Sequence, residues 1–547
     1  MSMASFFHLS ALLCIYLSTS VGAAPQVRLG GTTLIGTANL NSSVEFFGGI
    51  PFAEPPTGSL RYRPPVLKTH LRGSSFNATN FGLPCLQAGI ESSEDCLTIN
   101  VLRPTGISSN SSVPVLVWIY GGGFTTGGGD LYNGTTIVRQ SSVRGTPVIY
   151  VNFNYRLGPL GFPQGAEAVA RGALNLGLKD QIAALQWVQK NIGAFGGDKT
   201  KVTVFGESAG AVSIGVHYLR PSFSNLARAA IFQSGSAGTT LAYPGNHRQA
   251  NWDDYVKAVP GCASLVSTPR TFECLRKQNS TTLLAAHAAS DFKAVEQFPW
   301  VPSLDGAGGL FPDFPSKLYA KGQFARLPFI SGANLDEGTI LVPQTINTSQ
   351  AIREIIIKNY TGTRLPGVLE AAADKVLQLY PDDPAVGSPY GTGNNTFGLG
   401  SQFKRGASLM GDLFFHSSRR LWTQAAVRAG VKAYGYHLTE QSFKILPELG
   451  VSHVLDVFYL YGDVPGFGVG GAIPPVLASQ IVDYWISFAV SLDPSDGKGT
   501  SRTKWPQYTL KNKDVLQLSV TDLKPVPDTF RAAQINFLNK DPVLFRH

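Results

Sequence analysis

Short apolar runs bounded by glycine recur along the chain and predict buried β-strands. Residues 113–120 form such a run and are followed by three glycines, and residues 148–153 and 229–233 have the same character. Strands that are apolar at nearly every position are typical of parallel sheets, which are covered on both faces. We therefore expect a mostly parallel sheet at the centre of the fold.

Between these runs the apolar residues adopt the period of a helix. Leu178, Ile182, Leu185 and Val188 recur three or four positions apart before Gly193, which predicts an amphipathic helix that ends there. The alternation of strand, helix and strand indicates an α/β layered fold.

The composition fits one large globular domain. Of the 547 residues, 43% are hydrophobic and 15% are charged, and there is no internal repeat or charge block. We expect a single domain over residues 25–547, in which the glycine-rich stretches 387–400 and 463–474 are mobile loops. The net charge of +9 is scattered along the chain, which argues against a nucleic-acid site.

The first 24 residues are typical of a secretory signal peptide. Residues 11–17 form a short apolar core, and Val21-Gly22-Ala23-Ala24 offers small residues for cleavage. The core is too short to span a bilayer, and no later run qualifies. We therefore expect a secreted protein without a transmembrane anchor.

Four cysteines remain once the signal is removed, and an even number in a secreted chain suggests two disulfides. Three connectivities are possible, and we expect Cys85–Cys96 and Cys262–Cys274, which close short loops. A metal site is the alternative, but no histidine clusters with these cysteines at zinc spacing. Eight N-x-S/T sequons fit the same compartment: Asn41, Asn77, Asn110, Asn133, Asn279, Asn347, Asn359 and Asn394.

The segment Gly206-Glu207-Ser208-Ala209-Gly210 has the pattern G-x-S-x-G. It follows a β-rich run at 201–204 and leads into small residues that can start a helix. This is the context of a nucleophile elbow, a sharp strand-to-helix turn that exposes its serine. The glycines permit close approach of the backbone, and the helix N-terminus favours developing negative charge. The pattern also occurs by chance, so the assignment of Ser208 as a nucleophile requires catalytic partners elsewhere in the chain.

Candidates for those partners follow Ser208 in the chain. In hydrolases with such an elbow the acid comes next and the histidine last. Asp336 and Glu337 lie on a loop after a predicted strand, and both qualify as the acid. His453 lies on a loop beyond the next strand, where a general base is expected. We interpret His437 and His416 as packing residues.

Backbone donors for an oxyanion are expected from two places. One is the N–H of Ala209, directly after the serine, and the other is the loop Gly121-Gly122-Gly123 after the strand at 113–120. A phosphate-binding loop is the alternative interpretation, but the chain has no G-x-x-x-x-G-K-[ST] motif.

Together these motifs resemble the type-B carboxylesterase/lipase family, the cholinesterase-like branch of the α/β-hydrolases, and in particular its secreted fungal lipases and esterases. The resemblance spans nearly the whole mature chain and implies the α/β-hydrolase fold. The other matching motifs are Gly49-Ile50-Pro51-Phe52-Ala53-Glu54-Pro55-Pro56, Arg61-Tyr62, Glu94-Asp95-Cys96-Leu97-Thr98-Ile99-Asn100-Val101, Phe195-Gly196-Gly197-Asp198, Gln233-Ser234-Gly235-Ser236, Asp336-Glu337-Gly338-Thr339 and Gly450-Val451-Ser452-His453.

The resemblance implies a catalytic triad of Ser208, Glu337 and His453, and so chooses Glu337 over Asp336. It implies hydrolysis of a small-molecule carboxylic ester through an acyl-enzyme, without metal or cofactor. We expect activity to fall as His453 becomes protonated near its unperturbed pKa of about 6.5.

The resemblance also implies an oxyanion hole and two supporting residues. Gly122, Gly123 and Ala209 match the oxyanion donors, and Glu207 and Ser234 match positions that support the acid and the histidine. The family's two disulfides match the pairing expected above.

Two departures from the family pattern bear on the substrate. Tyr120 replaces the histidine that many members carry before the three glycines, and we expect it to change the floor of the pocket. Only ten residues separate Cys85 from Cys96, where lipases of this branch have a long amphipathic flap. We therefore expect a short lid or none, and activity on dissolved esters.

The substrate class stays open between short-chain esters, acylglycerols or sterol esters, and aromatic esters such as hydroxycinnamates. The alternative from another class is a non-catalytic binding protein on the same scaffold. Such relatives lose the nucleophile, whereas this chain keeps all three triad residues.

Overall fold

A sheet of 11 strands forms the centre of the molecule. The structure is a computed structural model that describes residues 23–39, 41–360, 367–441, 446–462, 464 and 473–547. The strand order is β14-β13-β12-β11-β10-β9-β7-β8-β6-β4-β3, and β1, β2 and β5 form a second, small sheet. The strands are β1 Gln26–Leu29, β2 Thr32–Ile35, β3 Thr37–Asn39, β4 Val44–Pro51, β5 Ser75–Asn77, β6 Thr98–Pro104, β7 Val113–Ile119, β8 Ile149–Phe153, β9 Gly197–Glu207, β10 Ala229–Gln233, β11 Phe329–Asn334, β12 Ala433–Leu438, β13 Asp514–Leu518 and β14 Lys524–Pro527.

The apolar runs form the parallel centre of this sheet, as predicted. From β8 through β7 and β9 to β13 every pairing is parallel, and antiparallel pairing is confined to the two edges. In β8 and β10 every residue is buried, because helices cover both faces of such a sheet.

Helices surround the sheet on both sides and complete the α/β architecture. They are α1 Thr135–Val143, α2 Gly158–Gly161, α3 Gly165–Ala170, α4 Leu176–Asn191, α5 Ala209–Tyr218, α6 Gln249–Ala258, α7 Thr271–Leu275, α8 Ser280–Asp291, α9 Pro315–Ala320, α10 Ser349–Asn359, α11 Val368–Leu379, α12 Phe403–Gly411, α13 Ser417–Arg428, α14 Leu455–Tyr461, α15 Pro475–Ser491 and α16 Ala532–Leu538. A π-helical segment, Asp412–His416, joins α12 to α13.

The predicted helix around Leu178 is α4, but its end differs from the prediction. The helix stops at Asn191, a 3₁₀ turn continues to Phe195, and Gly196 then adopts a φ of 90°. The left-handed conformation that closes this segment is therefore at Gly196 and not at Gly193, since glycine adopts positive φ without steric cost.

The two disulfides have the predicted connectivity. Cys85 is bonded to Cys96 and Cys262 to Cys274. Within the described ranges no helix is both long and apolar enough to cross a bilayer.

One glycine-rich stretch differs from the prediction, and the other predictions on termini and loops fall outside the described residues. In the stretch 387–400, Lys404 of α12 donates to Thr392 Oγ1 and Gly393 O, and Ser388 donates to Asp336. These contacts hold the stretch against the fold, where composition alone indicated a mobile loop. Residues 1–22, and 463 with 465–472, are outside the described part of the chain.

Candidate active site

Ser208 lies at a sharp turn between β9 and α5. Its φ and ψ are 52° and −124°, and its N–H donates to Gln233 O at 3.0 Å. The glycines around it are required by contact with β7: a Cβ on Gly210 would lie 1.9 Å from Ile119 O, and one on Gly206 would lie 2.5 Å from the same atom. This is the strained, close-packed elbow that the motif predicted.

The ends of the parallel strands bring the other candidates to the same edge of the sheet. Glu337 follows β11, and His453 follows β12. The two loops are joined by a bridge in which Asp336 N donates to Val451 O, and Asn334 Nδ2 donates to Ser452 O, both at 2.9 Å. Crevices at the carboxyl ends of parallel strands are the usual place for ligand sites.

Glu337 and His453 are in direct contact. His453 Nδ1 donates to Glu337 Oε2 at 2.6 Å. Both residues are buried: His453 is 7% exposed and Glu337 is 1% exposed. The other carboxylate oxygen, Oε1, accepts from Ser234 Oγ at 2.6 Å and from Asn334 N at 2.7 Å. With the proton on Nδ1 fixed by this carboxylate, Nε2 is left as the basic nitrogen.

Asp336, the other candidate acid, faces away from the histidine. Its carboxylate accepts from Ser388 Oγ, Tyr390 N and Val451 N. It therefore holds the loops together, and Glu337 is the residue that contacts His453.

Glu207 adds a second carboxyl beside the imidazole. Its Oε1 lies 3.2 Å from His453 Nε2, and burial raises the pKa of this carboxyl. Burial on its own lowers the pKa of His453, but the carboxyls of Glu207 and Glu337 outweigh it, so the pKa of His453 lies above 6.5. The expectation of an unperturbed imidazole pKa is therefore wrong.

Ser208 and His453 both line one apolar cavity of about 290 Å³. No hydrogen bond joins the Ser208 hydroxyl to His453 Nε2 among the described residues, and such bonds often tighten only with substrate bound. The ring of Phe415 packs against the ring of His453, with 4.4 Å between the two ring centroids. Apolar side chains supply most of the lining: Phe124, Val212, Leu241, Phe298, Val301, Ile340, Leu341, Phe414, Phe415 and Val454.

The glycine loop after β7 forms one wall of this cavity. Gly122 and Gly123 have φ values of 94° and 61° and line the cavity with Ala209. Among the described residues, the N–H groups of these three residues donate to no protein acceptor, so they are available to a substrate oxygen. Tyr120 is buried against Tyr155 and is not part of the lining, so the expectation that it alters the pocket floor is wrong.

Sequence reasoning missed Asp456, which lies beneath the histidine loop. Gln233 Nε2 and Tyr436 Oη both donate to its Oδ2, and burial raises its pKa. A single carboxylate inside the apolar helix α14 was the available signal, because carboxylates are rarely buried without a partner. Phe415 was missed as well, although its ring packs against that of His453.

Within the described residues no group of three or more His, Cys, Asp or Glu side chains is arranged to hold a metal ion.

Comparison with known proteins decides the family. The model of the carboxylesterase family matches residues 23–538. The chain belongs to the carboxylesterase family. Lipase 2 of Geotrichum candidum is 32% identical over 97% of this chain and 98% of its own length. Secreted lipase 1 of Botryotinia fuckeliana is 34% identical over 94% of this chain and 93% of its own.

Solved structures show the same relationship. The crystal structure of Aspergillus niger EstA superposes with a TM-score of 0.82 at 26% identity, covering 96% of this chain and 99% of EstA. PNB esterase gives a TM-score of 0.75 at 27% identity, covering 93% and 99%. The α/β-hydrolase fold is thereby confirmed, and this carboxylesterase-family member is a carboxylic ester hydrolase.

Proposed function

We propose that Ser208 is the nucleophile of this esterase, with His453 as general base and acid and Glu337 as the residue that orients His453. The observation that carries the proposal is the 2.6 Å contact between Glu337 and a histidine that shares an apolar cavity with Ser208. A buried carboxylate at Nδ1 fixes the tautomer and stabilises the imidazolium that forms during acyl transfer.

The reaction follows from these positions. Ser208 Oγ attacks the ester carbonyl while Nε2 of His453 takes its proton, and the carbonyl oxygen becomes an oxyanion held by the N–H groups of Gly122, Gly123 and Ala209. The alcohol leaves with the proton from His453. Water, deprotonated by the same nitrogen, then releases the acid and restores the serine.

Glu207 and Ser234 are positioning residues in this proposal. Ser234 donates to the Glu337 oxygen that does not face the histidine, so it helps to fix the orientation of the carboxylate. Glu207 lies beside Nε2, where its protonation state sets how readily His453 accepts a proton.

The substrate is an ester with an uncharged, apolar acyl group. The cavity is lined by aliphatic and aromatic side chains, and burial of such a group is favourable while burial of a charge is not. One curated relative is named secreted triacylglycerol lipase LIP1, of Gibberella zeae. We therefore favour fatty acyl esters; aromatic acyl esters are the second candidate, because Phe124, Phe298, Phe414 and Phe415 line the cavity.

The protein acts outside the cell in this proposal. Residues 1–24 serve as a signal peptide and residues 25–547 form one catalytic domain. Two disulfides fit an oxidising compartment, and relatives such as Secreted lipase 1 carry names that place them there.

Covalent labelling tests the proposal. A p-nitrophenyl alkylphosphonate should modify Ser208 and abolish hydrolysis, and peptide mass spectrometry should place the adduct on that residue. Ser208→Ala should resist the label and lower kcat by on the order of 10⁴–10⁶. A panel of p-nitrophenyl acyl esters and methyl hydroxycinnamates then ranks the acyl groups. Labelling at another serine, or full activity of Ser208→Ala, would overturn the assignment.

A further inference from the structure

A groove of about 730 Å³ lies at the β3 edge of the large sheet. Its floor is one face of the outer strands, because Thr37 of β3 is paired with Phe46 of β4, and Phe46 is paired with Leu102 of β6. Residues directly opposite one another point to the same face of a sheet. The start of α1 forms one side of the groove, since Thr135 is in its lining.

Two phenylalanine rings in this lining are only partly covered by protein. Phe46 and Phe81 pack on each other with their ring centroids 4.6 Å apart, and both residues are half-buried. The exposed residues beside them include Thr37, Asn39 and Asn80. Aromatic rings flanked by hydroxyl and amide groups suit a ligand that has both apolar C–H faces and hydroxyl groups. A sugar ring has this combination.

Two of the eight sequons place their asparagine in the lining of this groove: Asn41 and Asn133. Both residues are exposed. Oδ1 of Asn133 accepts from Thr135 N at 3.0 Å and from Thr135 Oγ1 at 2.6 Å, which orients the amide and leaves its Nδ2 without a partner among the described residues. The side chain of Asn41, on the turn between β3 and β4, has no hydrogen bond to a described residue. Asn133 is therefore the attachment point with the better defined direction.

We propose that the groove holds the protein's own N-linked glycan, attached to Nδ2 of Asn133, with its proximal N-acetylglucosamine residues against Phe46 and Phe81. The host's transferase supplies the oligosaccharide from a lipid pyrophosphate donor. The sugar–phosphate bond breaks, the bond from the sugar to Nδ2 forms, and Nδ2 loses one proton. The groove has the volume of a small-ligand pocket, for which about 300–1,000 Å³ is usual. The inference depends on the proposed secretion and not on the identity of the nucleophile.

A glycan in this groove covers an exposed sheet edge. β3 is the outermost strand on this side of the sheet, and all three of its residues are exposed. Exposed edge strands offer unpaired N–H and C=O groups to other chains, and proteins commonly protect such edges by covering them. Because an N-glycan is bulky and hydrophilic, a glycan held against β3 prevents this edge from pairing with a second chain.

Digestion of the folded protein with endoglycosidase H tests the proposal, using protein secreted from a fungal host. This enzyme cleaves between the proximal N-acetylglucosamine residues, so its rate at each site reports how accessible that bond is. Peptide mass spectrometry at successive times gives the rate at Asn133 and at the reference sites Asn110 and Asn394, which are exposed and outside the groove. Release at Asn133 should be at least about tenfold slower than at the reference sites. All three rates should become equal once the protein is denatured.

Two variants remove the groove's contacts with the glycan by different means. Phe81→Ser removes one of the two rings, and Thr37→Trp fills the groove from an exposed position of β3. Each should raise the rate at Asn133 to that of the reference sites. Phe292→Ser is the matched control, because Phe292 is 94% exposed and lies outside the groove lining, and it should leave the slow release unchanged. Hydrolysis of a short soluble ester shows that each variant is folded.

Four results would overturn the inference. Equal release at Asn133 and the reference sites would show a glycan that extends freely into solvent. Slow release that persists in both Phe81→Ser and Thr37→Trp would show that the backbone around Asn133, and not the groove, limits access. Slow release at Asn41 alone would place the other glycan in the groove. An unmodified Asn133 beside glycosylated Asn110 and Asn394 would refute this inference while leaving the proposed secretion intact, whereas absence of glycan from every sequon would count against both.

Discussion

Glu207 Oε1 lies 3.2 Å from Nε2 of His453, the ring nitrogen opposite the one that donates to Glu337. The imidazole is thus enclosed by two buried carboxyls. Burial makes it unfavourable for both of them to be charged without a cation between them. The pair Glu207–His453 consequently retains a proton to higher pH than an isolated histidine would, and in the proposed mechanism that proton must leave before His453 can act as the base.

Removing the second carboxyl should move the acid limb of the pH profile. The raised pKa of His453 places the fall in kcat/KM on acidification above 6.5 in the unmodified enzyme. Glu207→Gln removes one carboxyl that favours the imidazolium, so the pKa of His453 falls and the acid limb shifts to lower pH. Rate assays with a soluble ester, over a pH range on either side of the midpoint, measure the shift.

Glu167→Gln is the control for this shift, because Glu167 is also buried but bonds to Thr271 and Arg171, away from the cavity. Its midpoint should match that of the unmodified enzyme even if its stability falls. An acid limb that stays in place in Glu207→Gln would show that Glu207 does not influence the protonation of His453.

Substitutions of the adjacent residues Glu337 and Asp336 should have different effects, the first on catalysis and the second on stability. Glu337→Gln removes the charge that orients and stabilises His453 and should lower kcat by roughly 10³–10⁴ with little change in Tm. Asp336→Asn weakens the contacts to Ser388, Tyr390 and Val451 and should cost about 1–3 kcal/mol of unfolding free energy, with a much smaller loss of kcat. Kinetics and thermal unfolding of both variants measure this, and a larger kcat loss in Asp336→Asn would reverse the assignment.

Asp336 and Glu337 also show how much of the site could be predicted from the sequence. Loop position identified both Asp336 and Glu337 as candidate acids, and the family resemblance chose between them. The sequence could not decide, because neighbouring side chains on a 3₁₀ turn point in different directions. The direction depends on which loop packs against the turn, here the one that carries His453.

The central strands and the elbow were predictable because their signals are local. Buried parallel strands are apolar throughout, and the elbow is a motif of five consecutive residues, although its glycines at 206 and 210 are required by a contact with Ile119 of β7. The surroundings of His453 were not predictable in this way. Phe415 packs on it from the π-helical segment, and the raised pKa depends on two carboxyls that are 246 and 116 residues away in sequence.

Gly210 should tolerate no side chain. A Cβ there would lie 1.9 Å from Ile119 O, a backbone atom of β7 that cannot move without disrupting the sheet. We expect Gly210→Ala to cost at least about 3 kcal/mol or to prevent folding. Gly193→Ala is the matched control, because nothing lies within 4 Å of its Cβ position. Secreted yield and Tm measure the difference, and equal values for the two variants would contradict the close contact of α5 with β7.

Hydrolysis should show no interfacial activation. The ten-residue loop between Cys85 and Cys96 contributes nothing to the cavity lining, and it is held in place because Gln87 exchanges two hydrogen bonds of 2.7 Å with Gly127. Rates on a short-chain ester measured below and above its solubility limit should follow one saturation curve. A sharp rise at the solubility limit would show that another segment covers the site.

Of the eight sequons, Asn359 should carry no glycan. It is 4% exposed at the end of α10, its Nδ2 donates to Ile355 O at 3.0 Å, and its carbonyl accepts from Tyr243 Oη at 2.6 Å. The other seven asparagines are exposed, so a glycan can project into solvent from each of them, whereas one on Asn359 would have to displace packed side chains. Secreted protein treated with a peptide-N-glycosidase in H₂¹⁸O, which converts each glycosylated Asn to ¹⁸O-labelled Asp, and mapped by peptide mass spectrometry should retain unmodified Asn359. Asn359→Gln should leave the glycoprotein mass unchanged apart from the substitution. A glycan on Asn359 of active enzyme would contradict the packing of α10 described above.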